Sequence, residues 1–401
     1  MSHTEMIPHE DALRIVDETL SGALLPAERL PTREAEGRVL RSDHVSRIDQ
    51  PPFNRSAMDG YAIRDDDDSE AYRVLETIAA GSTGTCKLEP GTAIKIMTGA
   101  PVPEGAGRVV MVEEAEEQDG RVRFRRKGGR TNIALKGEDI RSGDVLMKAG
   151  TPLGALQIAN LISCGVTEVE VSRRPRFAVL STGDEIVDDP KDLQPGRIMN
   201  SNGPLMTNLA RRHGLEPVME TTIPDDLDAT VRTLKEALER ADIVAFSGGV
   251  SAGDFDYVQD ALPQAGLDVK FSRVAVKPGK PTVFATGKDR VVFGLPGNPV
   301  SVLLAFHFFV RRAVAHMTGS QDRLRTLRLP LAAPFKRRKG KRKEYLPARL
   351  ATEGQVEAIV GYNGSAHLSA LLQADGVFAV PLGVTEIEAG TPVDFTELRT
   401  P

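Results

Sequence analysis

The stretch from residue 176 to residue 316 alternates short apolar runs with amphipathic helical patterns, and this alternation strongly constrains the fold. The predicted strands are residues 177–180, 243–246 and 291–295, and the predicted helices are residues 204–213, 227–240 and 299–316. Parallel strands need crossover connections, which are usually helices that cover the sheet. The pattern therefore predicts a central doubly wound α/β domain with a mostly parallel sheet.

Three smaller units are predicted around this domain, which makes the fold class multidomain α/β. Helical patterns on both sides of a β-rich stretch indicate a small, discontinuous helical N-terminal domain, with the β-rich stretch inserted into it. Strand-like runs after residue 328 predict a C-terminal β-barrel. The predicted boundaries are residues 1–45 with 146–172 for the N-terminal domain, 46–145 for the inserted domain, 173–327 for the α/β domain and 328–401 for the barrel.

Composition excludes several classes of protein. The net charge of −5 on 401 residues gives no general attraction to nucleic acid or to an anionic membrane, and neither partner is expected. No apolar run reaches the roughly 18 residues that span a bilayer, and the first residues lack a signal-peptide pattern, so we expect a cytoplasmic protein. The two cysteines, Cys86 and Cys164, exclude a disulfide framework, and the histidines show no zinc-ligand spacing.

Polar loops follow four of the strand-like runs, at residues 181–185, 224–226, 247–257 and 296–299. The carboxyl ends of parallel strands meet at one edge of a sheet, where ligands bind. The loop at 247–257 combines glycines, serines and acids, a composition typical of anion and metal binding, although an ordinary glycine-rich turn remains an alternative. The sequence thus predicts one crevice for a phosphate-bearing ligand.

Acids and lysines near these loops are candidate ligands. Glu185, Asp225 and Asp256 come from three strand ends and could surround Mg²⁺, whereas Asp184 and Asp226 are each more simply a solvated loop acid or a cap. The two lysines of the stiff loop at 277–281 suit a fixed anion, with ordinary surface lysines as the alternative.

Three further motifs have simpler predicted roles. Asn298 is expected to cap a helix that begins at Pro299. The basic run at 336–343 is predicted to be a solvated hairpin tip or one edge of a phosphate site, and the acidic residues 65–68 a solvated turn.

Seven motifs in order resemble the MoeA family, the molybdopterin molybdenumtransferases, which includes the enzymatic part of gephyrin. They lie at residues 51–62 (PPFNRSAMDGYA), 96–101 (IMTGAP), 136–140 (KGEDI), 181–185, 247–257, 277–281 and 294–299. The resemblance implies an elongated four-domain homodimer whose third domain is shared with molybdopterin adenylyltransferases, with the active site between subunits. It also implies that the chain binds adenylylated molybdopterin and molybdate, uses Mg²⁺, inserts molybdenum and releases AMP.

The resemblance assigns roles to individual residues. The implied catalytic residues are Asp59, Asp139, Glu185, Asp225 and Asp256, of which the last three are also the metal ligands and the first two reach the partner's site. The implied substrate-binding residues are Ser56, Met58, Thr98, Gly99, Ser181, Thr182, Gly183, Asn200, Ser201, Asn202, Ser247, Gly248, Gly249, Ser251, Gly253, Asp254, Lys277, Lys280, Pro296, Gly297, Asn298 and Pro299.

The chain departs from the family pattern at a few positions, and two other functions stay open. Ala134 stands where a basic residue is frequent, and Arg108 is a candidate to restore that charge. A molybdopterin adenylyltransferase is one alternative, but a single-domain enzyme has no place for the motifs around Asp59 and Asp139. The other alternative is a non-catalytic scaffold, against which the intact acids argue. Expected partners are a second copy of the chain and, as further candidates, molybdopterin adenylyltransferase and molybdoenzyme maturation proteins.

Overall fold

The computed structural model describes residues 5–251, 256–320, 324–351, 353–362 and 364–398. The helices of its first part are α1 (His9–Thr19) and α2 (Ala155–Ser163). The strands are β1 (Ala27–Pro31), β2 (His44–Val45), β3 (Arg55–Ser56), β4 (Gly60–Ile63), β5 (Tyr72–Ile78), β6 (Thr92–Ile96), β7 (Arg108–Met111), β8 (Ala115–Gln118), β9 (Arg121–Phe124), β10 (Ile133–Ala134), β11 (Val145–Met147) and β12 (Glu168–Ser172).

Residues from both sides of the β-rich stretch share one small core. Strand β1 pairs antiparallel with β12, and β2 pairs with β11. Leu40 from the first segment packs with Leu161 and Val171 from the second. Helix α1 does not join this core, because its buried residues Ala12 and Val16 pack in the core of the α/β domain. The predicted helical character of this unit is therefore not confirmed, since α2 is its one α-helix among the described residues and four short strands accompany it.

The inserted stretch contains a six-stranded sheet in the order β7-β4-β6-β5-β9-β8. Successive residues of a strand point to opposite faces, and β4 shows this directly. Ala62 packs in one apolar cluster, whereas its neighbours Tyr61 and Ile63 pack in another on the opposite face. Strand β3 pairs with β10 outside this sheet and carries the motif around Ser56.

The central domain alternates strands and helices as predicted. Its strands are β13 (Arg176–Thr182), β14 (Ile186–Val187), β15 (Ile198–Met199), β16 (Glu216–Ile223), β17 (Ile243–Ser247), β18 (Asp268–Phe271), β19 (Val276–Lys277), β20 (Val283–Gly287) and β21 (Arg290–Leu295). Its helices are α3 (Asn202–Arg212), α4 (Leu227–Arg240), α5 (Val258–Gln264), α6 (Pro299–Ala305) and α7 (Arg311–Thr318), with a π-helical turn at Phe306–Val310 between the last two.

The main sheet of this domain runs in the order β16-β13-β17-β21-β20-β18. The first four strands are parallel, and the last two are antiparallel to their neighbours. All five residues of β17 are buried, as expected for a strand covered on both faces. Two separate apolar clusters lie against the sheet, one containing Val179 and Ala245 and the other Ala178 and Val244. The prediction of a mostly parallel, doubly covered sheet is confirmed.

The continuous helical stretch Pro299–Thr318 is long and apolar enough to cross a membrane by length and composition. It is 72% buried inside the protein, where Phe306 packs edge-on against Phe177 of β13 with ring centroids 6.1 Å apart. We therefore assign it as a core helix of the α/β domain. Its left-handed end at Gly319, with φ of 71°, stops the helix.

The C-terminal part contains β22 (Thr326–Pro330), β23 (Phe335–Lys336), β24 (Lys343–Leu350), β25 (Val356–Ala358), α8 (Leu368–Leu371), β26 (Gly376–Val380), β27 (Glu386–Ile387) and β28 (Pro392–Glu397). Its main sheet follows the order β19-β24-β26-β28-β22, so β19 of the α/β domain forms one edge. A single isolated bridge from Leu331 to Val356 links the residue after β22 to β25, which pairs with β24. The β-rich character is as predicted, and a fully hydrogen-bonded barrel stays a prediction.

Two charged segments differ from the solvated turns that the sequence predicts. Asp67 is only 8% exposed, and its carboxylate accepts hydrogen bonds from the backbone N–H of Ser69 and of Gly91. In the basic run, the Arg337 side chain is 8% exposed and pairs with Glu344 at 3.1 Å. The solvated assignment is therefore wrong for Asp67 and Arg337, because Asp67 binds backbone N–H groups and Arg337 pairs with the buried Glu344 carboxylate.

Candidate functional site

The four predicted loops leave the same edge of the sheet. At the ends of the parallel strands, Ser181 is in register with Ser247, and Ser247 with Leu295. Thr182 is likewise in register with Ile223. Neighbouring parallel strands lie about 5 Å apart, so the loops that follow them form one continuous rim. The four loops thus share one edge of the sheet as predicted, and the crevice between them stays a prediction.

The glycine-rich loop lies directly against Thr182. Gly248 and Gly249 have φ of +90° and +65°, a left-handed conformation that favours glycine. A Cβ on Gly248 would lie 2.7 Å from the Thr182 carbonyl oxygen, and one on Gly249 would lie 2.6 Å from the Thr182 Oγ1 atom. Both glycines are therefore required by space as well as by backbone conformation.

Asn202 joins two of the loops at the start of α3. Its Nδ2 atom donates hydrogen bonds of 2.7 Å to the Ser247 Oγ atom and to the Gly297 carbonyl oxygen. The Asn202 Oδ1 atom and the Thr182 Oγ1 atom are buried, and neither has a hydrogen-bond partner among the residues that the structure describes. Buried polar atoms are normally satisfied, so these two indicate a place for a polar ligand.

Asn200 and Ser201 precede this helix. Asn200 accepts from the Gly203 N–H at 3.0 Å and from the Ser181 hydroxyl at 3.4 Å, so its side chain ties the helix start to β13. Ser201 occupies the N-cap position without a side-chain capping bond. Ser251 is exposed, and its carbonyl oxygen accepts from Gln259. The predicted residues Gly253 and Asp254 lie outside the described residues.

Carboxylates crowd at the ends of β13 and β16. The backbone N–H groups of Asp184 and Asp225 each donate to the other residue's carboxylate, at 3.4 and 3.1 Å. Partial burial raises the pKa of Asp225, and the negative charges of Asp184, Glu185 and Asp256 raise it further. The three predicted metal ligands therefore influence one another electrostatically, as residues around one cation would.

These acids do not form a complete metal cage. Within the described ranges, no group of three His, Cys, Asp or Glu side chains is arranged to hold a metal ion. Asp226 caps α4, one of the two simple roles expected for it, because its carboxylate accepts from the Ala229 N–H at 2.7 Å. Mg²⁺ commonly takes one or two carboxylates and completes its shell with phosphate oxygens and water, so the oxygen donors present fit it. The metal assignment stays a prediction.

The two predicted lysines face a separate cavity of about 530 Å³ beside the crevice. Lys277 and Lys280 line it together with Pro296 and Asn298, which belong to the loop after β21. Lys277 Nζ lies 2.6 Å from Glu344 Oε1, and the Glu344 side chain is only 8% exposed. The cavity thus combines these two lysines with one buried carboxylate.

The sequence did not identify Glu344 and Tyr362 of this cavity, whose lining also includes Ser301 and Arg342. Burial, with the added effect of the Glu344 charge, raises the pKa of Tyr362 to about 12. The basic run at 336–343 was the available signal, since Arg342 lies within it. Asn298 also differs from the prediction: it precedes α6, but its side chain donates to the Ser365 hydroxyl at 2.8 Å and does not cap the helix.

A second predicted group lies in the β-rich stretch. Asp59 Oδ1 accepts hydrogen bonds from the Thr98 N–H at 2.7 Å and the Thr98 hydroxyl at 2.9 Å, and these bonds lower the pKa of Asp59. The Ser56 hydroxyl donates to the Met58 carbonyl oxygen, and the Gly99 N–H donates to the Ser56 carbonyl oxygen. The structure thus brings together the five predicted residues of the motifs at 51–62 and 96–101, which are Ser56, Met58, Asp59, Thr98 and Gly99.

Asp139 and Arg108 complete the account of this stretch. Asp139 is exposed, and its backbone N–H donates to the Gln50 carbonyl oxygen at 3.0 Å. Arg108 binds the Asp65 carboxylate and donates to the Lys127 carbonyl oxygen. Arg108 is therefore engaged at the sheet edge, and the idea that it replaces a basic residue near position 134 is not supported.

Three family models match consecutive parts of the chain. The MoeA N-terminal region (domain I and II) matches residues 7–165, the probable molybdopterin binding domain residues 178–316, and the MoeA C-terminal region (domain IV) residues 328–398. The molybdopterin molybdenumtransferase of Staphylococcus aureus strain Mu50 is 36% identical over 399 residues, covering 97% of this chain and 94% of that protein. The chain belongs to the MoeA family of molybdopterin molybdenumtransferases.

Further relatives agree with this membership. The molybdopterin molybdenumtransferase of Staphylococcus epidermidis strain ATCC 12228 is 34% identical over 371 residues, covering 90% of this chain and 88% of that protein. The crystal structure of the molybdopterin biosynthesis MoeA protein from Pyrococcus horikoshii OT3 is 29% identical with a TM-score of 0.83, over 98% of this chain and all of that chain. The family predicted from the seven motifs is confirmed, together with a MoeA-like multidomain fold.

Proposed function

We propose that this chain inserts molybdenum from molybdate into adenylylated molybdopterin, in a Mg²⁺-dependent reaction that releases AMP. Its family membership makes it a transferase of molybdenum cofactor biosynthesis. The observation that carries the finer proposal is the crevice edge, where two buried polar atoms without partners, of Thr182 and Asn202, adjoin the Gly248 loop. An anionic ligand with both donor and acceptor groups fits this edge.

The crevice would hold the phosphates of the adenylylated pterin. The Gly248 and Gly249 backbone carries no Cβ, so phosphate oxygens could approach its N–H groups closely. Asn202, fixed by its bonds to Ser247 and Gly297, would orient the ligand through its remaining oxygen. Phosphoanhydride cleavage needs positioning and charge stabilisation more than a covalent nucleophile, and this chain's loops supply such positioning.

Glu185, Asp225 and Asp256 would hold the Mg²⁺ ion. The raised pKa of Asp225 reflects burial and uncompensated like charge, which a cation would relieve. When bound, Mg²⁺ supplies positive charge to the phosphate oxygens. The incomplete protein cage fits an ion that takes its remaining ligands from substrate and water.

The lysine cavity would hold the oxyanion substrate. Molybdate is a tetrahedral dianion, and Lys277 and Lys280 are two cations on one wall of a space of about 530 Å³. Asn298 and Pro296 connect this wall to the crevice, so the two substrates would lie near each other. Lys277 would exchange its contact with Glu344 for one with the oxyanion.

Asp59 and Asp139 would act from a second copy of the chain. The hydrogen bonds described for both residues stay within the stretch from Gln50 to Asp139, and none of them reaches the crevice. In a homodimer with its active sites between subunits, these acids would contribute to the active site of the partner.

We place the chain in the cytoplasm, since its free Cys86 and Cys164 fit a reducing compartment. Its further partners would be the adenylyltransferase and maturation proteins.

The test is incubation with adenylylated molybdopterin, molybdate and Mg²⁺, following AMP and the molybdenum-loaded cofactor. We expect stoichiometric AMP release, and a loss of at least about 100-fold in the Asp256→Asn variant, since removing one ligand charge weakens metal and phosphate positioning. Asp228→Asn, an exposed acid in the first turn of α4, is the matched control and should keep full activity.

Other outcomes would contradict the proposal. Consumption of ATP with release of pyrophosphate would identify an adenylyltransferase, and absence of any turnover in folded protein would favour the scaffold. Unchanged AMP release in Asp256→Asn would remove Asp256 from the mechanism.

A further inference from the structure

A third cavity, of about 300 Å³, lies where the discontinuous N-terminal unit meets the α/β domain. Arginines dominate its charged lining: Arg38, Arg173, Arg174, Arg211, Arg212 and Arg311. No Asp or Glu among the described residues lines it. Six guanidinium groups around so small a space repel one another unless anions offset them.

Carboxylates elsewhere offset only part of this charge. Arg38 pairs with Glu28, and Arg173 pairs with Asp242, a carboxylate that also contacts Arg176 and Arg290.

Three further arginines, Arg174, Arg211 and Arg212, have no carboxylate partner within the described ranges. The Arg174 side chain donates to the Glu36 carbonyl oxygen and the Arg211 side chain to the Asn208 side chain, both at 3.4 Å, and the Arg212 side chain makes no hydrogen bond there. Among the residues that the structure describes, three unit charges therefore line the cavity without a carboxylate bound to them.

Capping of α3 accounts for only some of these cations. The carboxyl end of a helix carries about half a negative charge, which one basic side chain can neutralise. Arg211 and Arg212 both lie in the last turn of α3, and Arg174 comes from the chain segment before β13. The helix dipole is thus too weak to explain the cluster.

Arg38 provides an independent sign of a ligand. Its side chain is 8% exposed and lines the cavity, and its Nη2 atom donates to the Ser172 carbonyl oxygen at 2.7 Å. Its Nε atom is buried and has no hydrogen-bond partner in the described part of the chain. A buried guanidinium N–H without an acceptor is costly, and an anion in the cavity would supply that acceptor.

We propose that this cavity binds a small anion that bears phosphate groups. Guanidinium groups recognise phosphate oxygens by paired hydrogen bonds, and several of them around one space favour a multiply charged ligand over chloride. The volume suits pyrophosphate or a nucleoside monophosphate and is too small for a folded polyanion. This site is separate from the crevice, because α3 begins at the crevice with Asn202 and ends at the cavity with Arg212, about 15 Å away along the helix.

Isothermal titration calorimetry of the full chain with inorganic pyrophosphate and, separately, with AMP tests the proposal. We expect saturable binding of at least one of the two at the arginine cavity, beside any AMP that the crevice holds, and the tighter ligand at this cavity tells an inorganic anion from a nucleotide. In the double variant Arg211→Ala/Arg212→Ala, affinity should fall by about 10- to 100-fold, since each charge-assisted hydrogen bond contributes about tenfold.

Two control variants separate this site from its surroundings. Arg240→Ala removes an exposed arginine at the corresponding end of α4 and should leave binding unchanged. The variant Lys277→Ala/Lys280→Ala removes both lysines from the cavity beside the crevice and should also leave anion binding at the arginine cavity unchanged. Should the double arginine variant fail to fold, Arg174→Ala, which is partly exposed, replaces it with an expected loss of about tenfold.

The proposal is overturned if neither anion binds, or if the arginine variants leave the affinity for both anions unchanged. It is equally overturned if the lysine variant alone abolishes binding, because the anion then occupies the cavity beside the crevice. Binding of a polyglutamate peptide without binding of either small anion would assign the arginines to an acidic protein segment instead.

Discussion

At the scale of single residues, the crevice depends on glycines that no other residue can replace. Gly248 lies against the Thr182 carbonyl oxygen, and its N–H donates to the carbonyl oxygen of Leu295, the last residue of β21, at 3.1 Å. Its positive φ alone would strain any other residue. The loop's shape is thus fixed by space rather than by side-chain chemistry.

Gly248→Ala should lower the free energy of unfolding by about 1–3 kcal/mol and reduce AMP release, because the new methyl group must displace the loop. Chemical unfolding and the AMP assay measure the two effects. Gly266→Ala is the matched control: it has a positive φ of 78° and no atom within 4 Å of the added Cβ, so it reports backbone strain alone. Equal effects in both variants would show that the contact with Thr182 is unimportant.

Asp225→Asn should stabilise the metal-free protein and weaken its response to Mg²⁺. The raised pKa of Asp225 means that folding disfavours its charged form, so the penalty grows as the pH rises through that pKa and vanishes in acid. Since the group is only partly buried, we expect a gain of about 1 °C in melting temperature at pH 7. Thermal unfolding with and without Mg²⁺ measures both effects, and an unchanged response to Mg²⁺ would contradict the assignment.

At the scale of elements, helix α1 is fixed to the rest of the protein by a buried, neutral histidine. The His9 ring contacts Phe308 and Tyr345 edge-on, and its Nδ1 atom lies 3.2 Å from the Tyr345 hydroxyl. Burial, with the nearby Lys343 charge, lowers the pKa of His9 to about 4. His9 thus connects α1 to the π-helical turn before α7 and to β24.

This burial predicts acid sensitivity. Below its ordinary pKa of about 6.5, His9 takes up a proton in the unfolded chain, while in the folded chain it stays neutral down to about pH 4. The stability that His9 contributes is therefore present above pH 6.5 and is lost as the pH falls toward 4, at up to about 1.4 kcal/mol per pH unit.

His9→Phe keeps the aromatic packing and removes the titration, so between pH 7 and pH 5 it should lose about 2 kcal/mol less than the wild type does. Urea unfolding at the two pH values measures this difference. His367→Phe, at an exposed site, should behave like the wild type. An unchanged pH dependence in His9→Phe would show that His9 is not the group responsible.

At the scale of the whole molecule, the predicted site residues form two separate groups. Asp59 and Thr98 lie in loops beside β4 and β6 of the inserted stretch, whereas Asp225 and Gly248 lie at the carboxyl edge of the central sheet. In a dimer, the group around Asp59 in one chain would lie against the group around Asp225 in the other chain, and both active sites would then be complete.

Mixing inactive chains tests this arrangement. Asp59→Asn and Asp256→Asn chains, each inactive alone, should recover about one quarter of wild-type AMP release after mixing and re-equilibration. Half of the dimers are then mixed, and each mixed dimer contains one intact site. No recovery in dimers shown to have exchanged would place both acids in one chain's site.

Much of the fold followed from local patterns. The helix predicted at residues 227–240 has the bounds of α4, and the strand predicted at 243–246 is β17 without its last residue. The strand-end loops were likewise predictable, because parallel strands must end at a common edge. Residues 51–62 needed the family resemblance, since short strands such as β3 carry no distinctive period.

The sequence by itself determined the alternating α/β core, the loops at its edge and the family, because periodicity and motif order are properties of neighbouring residues. Only the tertiary structure decided which distant residues share a cavity. Lys277 meets Glu344 because β19 pairs with β24, and Arg38 meets Arg212 because the N-terminal unit packs on α3 and α7. Contacts between residues that are distant in the sequence depend on how buried surfaces pack together, and a local sequence pattern does not specify that packing.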